Sequence, residues 1–127
     1  MDENIKRIGK HATKIKEIMS HTSSFNAEEI RSQGDFAVDE FFLGLGWLAN
    51  EHKNINLKQL TGITNLDEAK DIISELLENK SKKNVATIAK HAHLTSKEVY
   101  VALGSFAQQN RLVVFDGKTL QTKYSLK

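Results

Sequence analysis

The chain has 127 residues, 39% of them hydrophobic and 27% charged, which suffices for one ordinary domain or two very small ones. It contains neither Cys nor Pro, which excludes disulfides and thiolate metal sites and is typical of a largely helical protein. The net charge of +2 permits nucleic-acid binding without requiring it.

The localisation is expected to be cytoplasmic. No apolar run approaches the ~20 residues that span a bilayer. The N-terminal stretch is charged and lacks the apolar region of a signal peptide.

The first half of the chain predicts three helices. A first helix follows from apolar residues that recur at spacings of three and four, which are Ile5, Ile8, Ala12, Ile15, Ile18 and Met19. Thr22-Ser23-Ser24 ends it. Asn26 with Glu29 is a cap-like start for a short second helix through Ile30, and Gln33-Gly34-Asp35 makes a turn. A third helix carries on one side Val38, Phe41, Phe42, Leu45, Leu48 and Ala49.

The second half predicts three more helices and a hairpin. The apolar residues that mark the first two helices are Ile72, Ile73, Leu76, Leu77, Val85, Ile88 and Ala89. Thr95 and Glu98 form a capping box that opens the third helix, which packs through Val99, Leu103, Phe106 and Ala107. Two strand-like runs flank Asp116-Gly117, which is a strong hairpin turn signal.

An internal repeat organises these elements. A shift of 58 residues aligns 12–54 with 70–112 without a gap and places identical residues at several positions, among them Ile30 with Ile88 and Gly46 with Gly104. The predicted fold is therefore mainly α with a small C-terminal β-hairpin, built from tandem winged-helix units. The first unit comprises residues 1–62 and the second unit residues 63–127. The wing of the first unit is expected to be short, degenerate or absent.

Two segments carry a family resemblance. The segments from Phe41 to Glu51, which contains Gly44-Leu45-Gly46-Trp47-Leu48-Ala49, and from Glu98 to Gly104 resemble the signature of a small bacterial winged helix-turn-helix family of unknown function. Asn50 stands where the family tends to have Arg, and Ser105 replaces the Trp in the second copy. The resemblance implies a winged-helix fold and a DNA-binding or regulatory role, with no established activity.

The second unit holds the candidate DNA-binding residues. In a helix-turn-helix protein, the third helix enters the major groove and its first residues meet base edges. The residues predicted to face the groove are Thr95, Ser96, Lys97 and Tyr100, and those predicted to contact phosphate are Lys118 and Lys123. The alternative is that these are ordinary capping and solvated residues. The third helix of the first unit begins with Asp35, Asp39 and Glu40, which disfavours DNA there.

A basic stretch lies near the N-terminus. On a helix, it places its cations opposite the apolar stripe: Lys6, Arg7, Lys10, His11, Lys14 and Lys16. Lys6, Arg7, Lys10 and Lys14 form a candidate secondary patch for phosphate or an acidic partner. A solvated helix face is the competing explanation.

Leu43 and Trp47 form a second apolar stripe on the third helix of the first unit. A three-helix unit of this size cannot bury both stripes by itself. We therefore predict that Leu43 and Trp47 form an interface, either with the second unit or with another copy of the chain.

The sequence predicts neither an enzyme nor a cofactor or metal site. Gly44-Leu45-Gly46 lies in a helical pattern without a preceding strand, so it is no nucleotide loop. Gly46 and Gly104 are instead expected to allow a neighbouring helix to approach. His91 and His93 lack a third ligand in register. The carboxylates adjacent in sequence do not face each other on a helix.

Two functions remain open. One is a DNA-binding transcriptional regulator or accessory factor that binds duplex DNA through the second unit. The other is a protein-interaction or dimerisation module on the same scaffold, which the acidic third helix of the first unit favours.

Overall fold

A computed structural model describes residues 2–21, 26–52, 55–116 and 122–127. The predicted class is confirmed, because helices are followed by one antiparallel hairpin at the C-terminus. The first unit contains α1 (Glu3–Ser20), α2 (Ala27–Gly34), α3 (Val38–Glu51) and α4 (Leu57–Thr61). The second unit contains α5 (Leu66–Leu76), a short 3-10 helix (Glu78–Lys80), α6 (Val85–Ala92), α7 (Ser96–Gln108), β1 (Leu112–Phe115) and β2 (Lys123–Leu126).

Side-chain caps start the short helices where the sequence predicts them. The Asn26 side chain accepts from the backbone N–H of Glu28 and of Glu29, at 2.9 and 3.3 Å. α2 continues beyond Ile30 to Gly34, so the turn begins only at Asp35, whose φ is 53°. The Thr95–Glu98 capping box is confirmed, with reciprocal hydrogen bonds of 3.2 and 3.0 Å.

The hairpin is joined by a third extended segment. β1 and β2 pair from Leu112 opposite Leu126 to Phe115 opposite Lys123. On the other side of β2, the backbone groups of Lys83 and Tyr124 exchange two hydrogen bonds of 3.0 and 2.8 Å. The hairpin is therefore anchored to the residues that lead into α6. Gly117 of the predicted turn lies outside the described residues.

The first unit contains one helix that was not predicted and one residue whose exposure differs from the prediction. Helix α4 occupies the place that corresponds to the wing, since Asn56 caps a helical turn and Gly62, at φ 80°, ends it. Val38 was expected on the apolar side of α3, but it is 50% exposed. It lies in the first turn of the helix, before α3 reaches the elements that cover it.

The helices of the two units correspond in position. α2 and α6 begin 58 residues apart and end 58 residues apart. α3 and α7 also begin 58 residues apart. Asp35 and His93, which end α2 and α6 in the left-handed conformation, are separated by the same interval. The repeat seen in the sequence therefore coincides with a repeat of local structure.

Helices α3 and α7 lie side by side and run in the same direction. Gly46 approaches Val101, Asn50 donates to Gln108, and Leu43 approaches Gly104. These pairs are 55, 58 and 61 residues apart, and a nearly constant difference marks parallel helices. The expected close approach at both glycines is confirmed, because a Cβ on either one would collide with a backbone carbonyl of the other helix.

The hydrophobic core is shared between the units. Ile5, Ile8 and Leu43 of the first unit belong to a cluster composed mostly of second-unit residues. Val101 of the second unit belongs to the cluster of the first. Residues 41–46 of α3 and 101–107 of α7 are all buried. Each third helix is thus covered by its own unit and by the other unit.

The substitutions Gly46→Ala and Gly104→Ala are expected to destabilise the fold. Backbone carbonyls cannot move aside as a side chain can, so each change should lower the free energy of unfolding by about 1–3 kcal/mol despite the higher helix propensity of Ala. Urea denaturation measures the effect. Gly9→Ala is the control, because its Cβ would lie 3.1 Å from the half-buried Trp47 ring, which can shift. Equal losses at all three positions would contradict the proposed backbone contact.

Candidate functional site

The predicted groove-facing residues lie at the start of α7. Thr95, Ser96 and Lys97 are exposed, and Tyr100 is partly buried. From residue 101 to residue 107 the helix has no exposed face. Only the first turn of α7 is therefore open to a ligand.

The predicted phosphate contacts lie on the hairpin. Lys123 is exposed at the start of β2, opposite Phe115. Lys118 lies outside the described residues.

The groove-facing set does not share one surface. Ser96 and Tyr100 line a cleft of about 310 Å³ whose other walls include Asp39 of α3 and Tyr124 of β2. We call this the Asp39 cleft. It lies where the first turn of α3 meets the hairpin and the starts of α6 and α7, so residues of both units form it.

Lys97 lines a different cleft. Together with Glu28 and Phe42 of the first unit it borders an open cleft of about 480 Å³, which we call the Lys97 cleft. The Lys97 ammonium lies 5.6 Å from the centre of the Phe42 ring, a cation–π distance. Arg31, which donates to Glu28 at 3.0 Å, holds the pKa of Glu28 below its usual value, and Lys97 adds a smaller effect in the same direction.

The two clefts occupy equivalent positions in the repeat. Five residues of one cleft correspond to five of the other at an interval of 58: Asn26 with Asn84, Ala27 with Val85, Glu28 with Ala86, Phe42 with Tyr100, and Asp39 with Lys97. Each cleft thus receives one charged residue from the opposite unit, and these two residues are equivalent in the repeat. It is the carboxylate Asp39 in one cleft and the ammonium of Lys97 in the other. The clefts share a geometry but differ in charge.

Two tyrosine hydroxyls define the chemistry of the Asp39 cleft. Burial raises the pKa of Tyr100, and the negative charge of Asp39 adds to the shift. Burial raises the pKa of Tyr124 far above its ordinary value, with smaller contributions from Tyr100, Asp39 and Asp116. Tyr124 is only 4% exposed. The site therefore presents neutral hydroxyls beside a carboxylate.

A third, smaller cleft adjoins the Asp39 cleft. It encloses about 170 Å³ and shares Asp39, Thr122 and Tyr124 with the Asp39 cleft. Arg7 and the carboxylates of Glu40 and Asp116 also line it. The groove between α3 and the hairpin is therefore lined by the carboxylates of Asp39, Glu40 and Asp116 and by the cation Arg7. Sequence reasoning missed Asp39 as a site residue, because its neighbours Tyr100 and Tyr124 are 61 and 85 residues away in the chain.

The N-terminal basic patch is partly engaged within the chain. Lys6 lies 3.8 Å from Glu3, and Lys14 donates at 3.1 Å to the carbonyl of Gly34. Arg7 faces the groove just described, and Lys10 is exposed. The four residues therefore have different surroundings rather than forming one free phosphate-binding face.

The second apolar stripe of α3 packs within the chain. Leu43 is 6% exposed, and its backbone meets Gly104 of the second unit. Trp47 is partly buried against Gly9 of α1, and its indole N–H donates to Glu51 at 3.3 Å. Of the two packing arrangements that the sequence left open, this geometry favours the one between the units.

Within the described ranges, no group of three or more His, Asp or Glu side chains is arranged to hold a metal ion, and His91 and His93 are exposed. No described helix is long and apolar enough to span a membrane.

Alkaline pH should destabilise the protein. Tyr100 and Tyr124 are the only two tyrosines, and their raised pKa values mean that the folded chain keeps protons that the unfolded chain loses near pH 10. The free energy of unfolding should therefore fall as the pH rises above about 10. Ultraviolet absorbance titration should show Asp39→Asn lowering the pKa of Tyr100, whereas Glu28→Gln in the Lys97 cleft leaves it unchanged. Both tyrosines ionising near pH 10 in the folded protein would refute this.

Comparison with known proteins places the chain in a family. The profile described as "Winged helix-turn-helix domain (DUF2582)" matches residues 1–66, which is just over half of the chain. No curated protein and no solved structure matches the chain. The resemblance seen in the sequence is thereby confirmed at the level of a winged-helix family, and the C-terminal hairpin agrees with it. The chain belongs to the winged helix-turn-helix domain family DUF2582.

Proposed function

We propose that this chain is a protein-binding module, neither an enzyme nor a reader of duplex DNA, in which a tandem pair of winged-helix units associates through its third helices. The observation that carries the proposal is the burial of residues 101–107 of α7 against both units. This burial leaves the first helical turn as the accessible part of the element that would have to read bases.

The geometry of DNA recognition explains why this burial matters. A recognition helix lies in a major groove about 8.5 Å deep, and several of its side chains reach base edges. One helical turn advances about 5.4 Å. On α7 that turn offers Ser96 and Lys97, which line different clefts. This divergence disfavours simultaneous contact of both side chains with neighbouring bases.

The surrounding charge also disfavours DNA. Asp39 stands beside Ser96 and Tyr100, and Glu28 stands beside Lys97. Both carboxylates come from the first unit and would face the phosphates of a duplex bound at α7. DNA affinity depends on cations that displace counterions from the backbone. The paired units place anions where those cations are needed.

The tandem-repeat part of the proposal is supported by coincident positions. The bounds of α2 and α6 and the residues lining the two clefts correspond at the same interval of 58. Two units of one ancestry that pair about an approximate twofold axis would produce this correspondence.

DNA binding by the second unit is the rival function, and the family description favours it. Fluorescence anisotropy with random duplex DNA at low and moderate salt separates the two. We expect no saturable binding at either salt concentration.

The rival predicts binding that falls steeply with salt and is lost in the double variant Lys97→Glu, Lys123→Glu. The matched control is Lys16→Glu with Lys80→Glu, which makes the same change in net charge at exposed positions outside both clefts. Salt-dependent binding that survives in the control and not in the test variant would overturn the proposed function.

The protein is expected to be a monomer, because the units already cover each other's third helices and Leu43 is buried within the chain. Light scattering coupled to size exclusion should give the mass of one chain across micromolar concentrations. Trp47→Ala should lower stability, since Trp47 packs on Gly9, without changing this mass. A dimer that Trp47→Ala dissociates into folded monomers would show that this face serves a second copy.

A further inference from the structure

We infer that the outer face of the C-terminal hairpin binds an acidic segment of the partner protein, one that carries carboxylates beside apolar side chains. This inference rests on the proposed function and specifies the chemistry of the partner. The face combines two cations without carboxylate partners, an exposed aromatic ring, and a buried hydroxyl without a hydrogen-bond partner.

The strand pairing defines this face. Tyr124 and Leu126 of β2 belong to the core cluster. Side chains alternate between the two faces of a strand, so the residues that alternate with these two, and their partners on β1, point away from the core. The outward pairs are Val113 with Ser125 and Phe115 with Lys123. We call this surface the outer sheet face.

Lys82 completes the outer sheet face. Because Lys83 pairs with Tyr124 on the inner side, its neighbour Lys82 lies on the outer side, next to Ser125. The Lys82 ammonium lies 4.1 Å from the centre of the Phe115 ring on β1, a cation–π distance. The Lys82 side chain therefore crosses β2 on the same face as Ser125.

The charge of the outer sheet face is positive. Lys82 and Lys123 are exposed, and among the described residues no carboxylate lies within 4.0 Å of either ammonium. Asp116 directly follows Phe115, but it lines the groove between α3 and the hairpin, on the inner side. A ligand that bears carboxylates would therefore meet two cations that the described chain leaves unpaired.

Apolar surface lies beside these cations. Phe115 is 37% exposed, and Val113, two residues earlier on the same face, is partly buried. Exposed apolar side chains next to charged groups are typical of contact surfaces. A partner segment would bury both side chains while its carboxylates reach Lys82 and Lys123.

The hydroxyl of Ser125 is a second, independent indication of a ligand. Ser125 is 3% exposed, and its Oγ has no hydrogen-bond partner among the described residues. Buried polar groups in proteins are nearly always hydrogen-bonded, so this hydroxyl requires an explanation. When the Lys82 ammonium turns from the Phe115 ring to a carboxylate of the ligand, the hydroxyl can donate to the same carboxylate.

A protein segment fits this face better than a single-stranded nucleic acid does. Bases stack on aromatic side chains, but the Lys82 ammonium already occupies one face of the Phe115 ring. Affinity for a nucleic acid also depends on the number of phosphates that are neutralised, and the outer sheet face offers only two described cations. An isolated carboxylate needs no more than these.

Amide chemical-shift titration of the full chain at constant ionic strength tests the inference. The probe is an octapeptide with blocked termini in which leucine and glutamate alternate at every second position, with serine between them. The matched control has glutamine in place of every glutamate. The acidic probe should give saturable shifts at the amides of Val113 and Ser125. The control should bind about tenfold more weakly or not at all, because charge-assisted hydrogen bonds are stronger than neutral ones.

Variants locate the response. The double variant Lys82→Gln, Lys123→Gln should weaken binding of the acidic probe by about tenfold or more. Lys10→Gln with Lys16→Gln is the matched control, since it removes the same charge at exposed positions of α1, and it should have no effect. Amide spectra of the free variants establish that each is folded, and a double variant that unfolds is replaced by its two single substitutions.

Ser125→Ala separates a ligand contact from a structural role. The change removes a buried hydroxyl that has no partner, so it should not lower the urea midpoint of the free protein. It should nevertheless weaken the acidic probe by about fivefold, because the donor to the carboxylate is lost. An unchanged affinity would overturn the role given to this hydroxyl.

Four results would overturn the inference: no saturable response to the acidic probe, an equal response to the glutamine control, a response unchanged by the Lys82 and Lys123 substitutions, or tighter binding of single-stranded oligothymidylate at the same amides. The proposed function fails separately, through salt-dependent binding of duplex DNA in the anisotropy titration. A negative result in both titrations would remove the acidic-segment inference and leave the protein-binding proposal standing.

Discussion

Two glycines allow the third helix of each unit to lie against the backbone of the other, and the rest of the structure depends on this contact. At Gly46 and Gly104 a Cβ would meet a carbonyl of the opposite helix, so no larger residue permits the same approach. The approach aligns α3 and α7 in parallel and brings their first turns to the same end of the molecule. Both clefts lie there, each formed by the two units together.

The sequence predicted the elements well and their mutual arrangement poorly. Periodicity located the helices, and Thr95 with Glu98 located the start of α7, because these signals are local in the chain. The repeat and the paired glycines pointed to a close helix contact. No local signal indicated that α4 would replace the first wing, or that Val38 would be exposed, since both depend on which elements cover which faces.

The candidate site illustrates the same limit. Thr95, Ser96, Lys97 and Tyr100 are close in sequence and were predicted to act together. In the structure, the helix directs Lys97 towards Phe42 and Tyr100 towards Asp39. Lys97 and Tyr100, one turn apart, therefore line different clefts, each with walls from the first unit. Asp39 belongs to the site only because the fold brings it beside Tyr100, which is 61 positions away in the sequence.

The repeat is most informative where its two copies differ. At most equivalent positions in the core the residues are both apolar, as with Ile15 and Ile73 or Leu45 and Leu103, because both copies must fill the same space. At positions 39 and 97, packing imposes no such limit, and the residues have opposite charge. Divergence of charge at equivalent, accessible positions gives the two clefts different electrostatic surroundings. It gives no advantage to a symmetric reader of DNA, which would need the same cation in both.

The fold and DNA recognition also compete for the same helix. To lie along a groove over its whole length, α7 would have to leave α3 and expose Val101 and Ser105 together with the facing Leu43, all of them buried. Exposing a buried aliphatic side chain costs about 1.5–3 kcal/mol, and the contact contains several such residues. The free energy of unfolding of a protein domain is only about 5–15 kcal/mol, so losing several such contacts would remove much of it. The contact that makes the fold stable therefore leaves only the start of α7 accessible to a groove, which supports the proposal that a ligand binds the surfaces that the paired helices leave open.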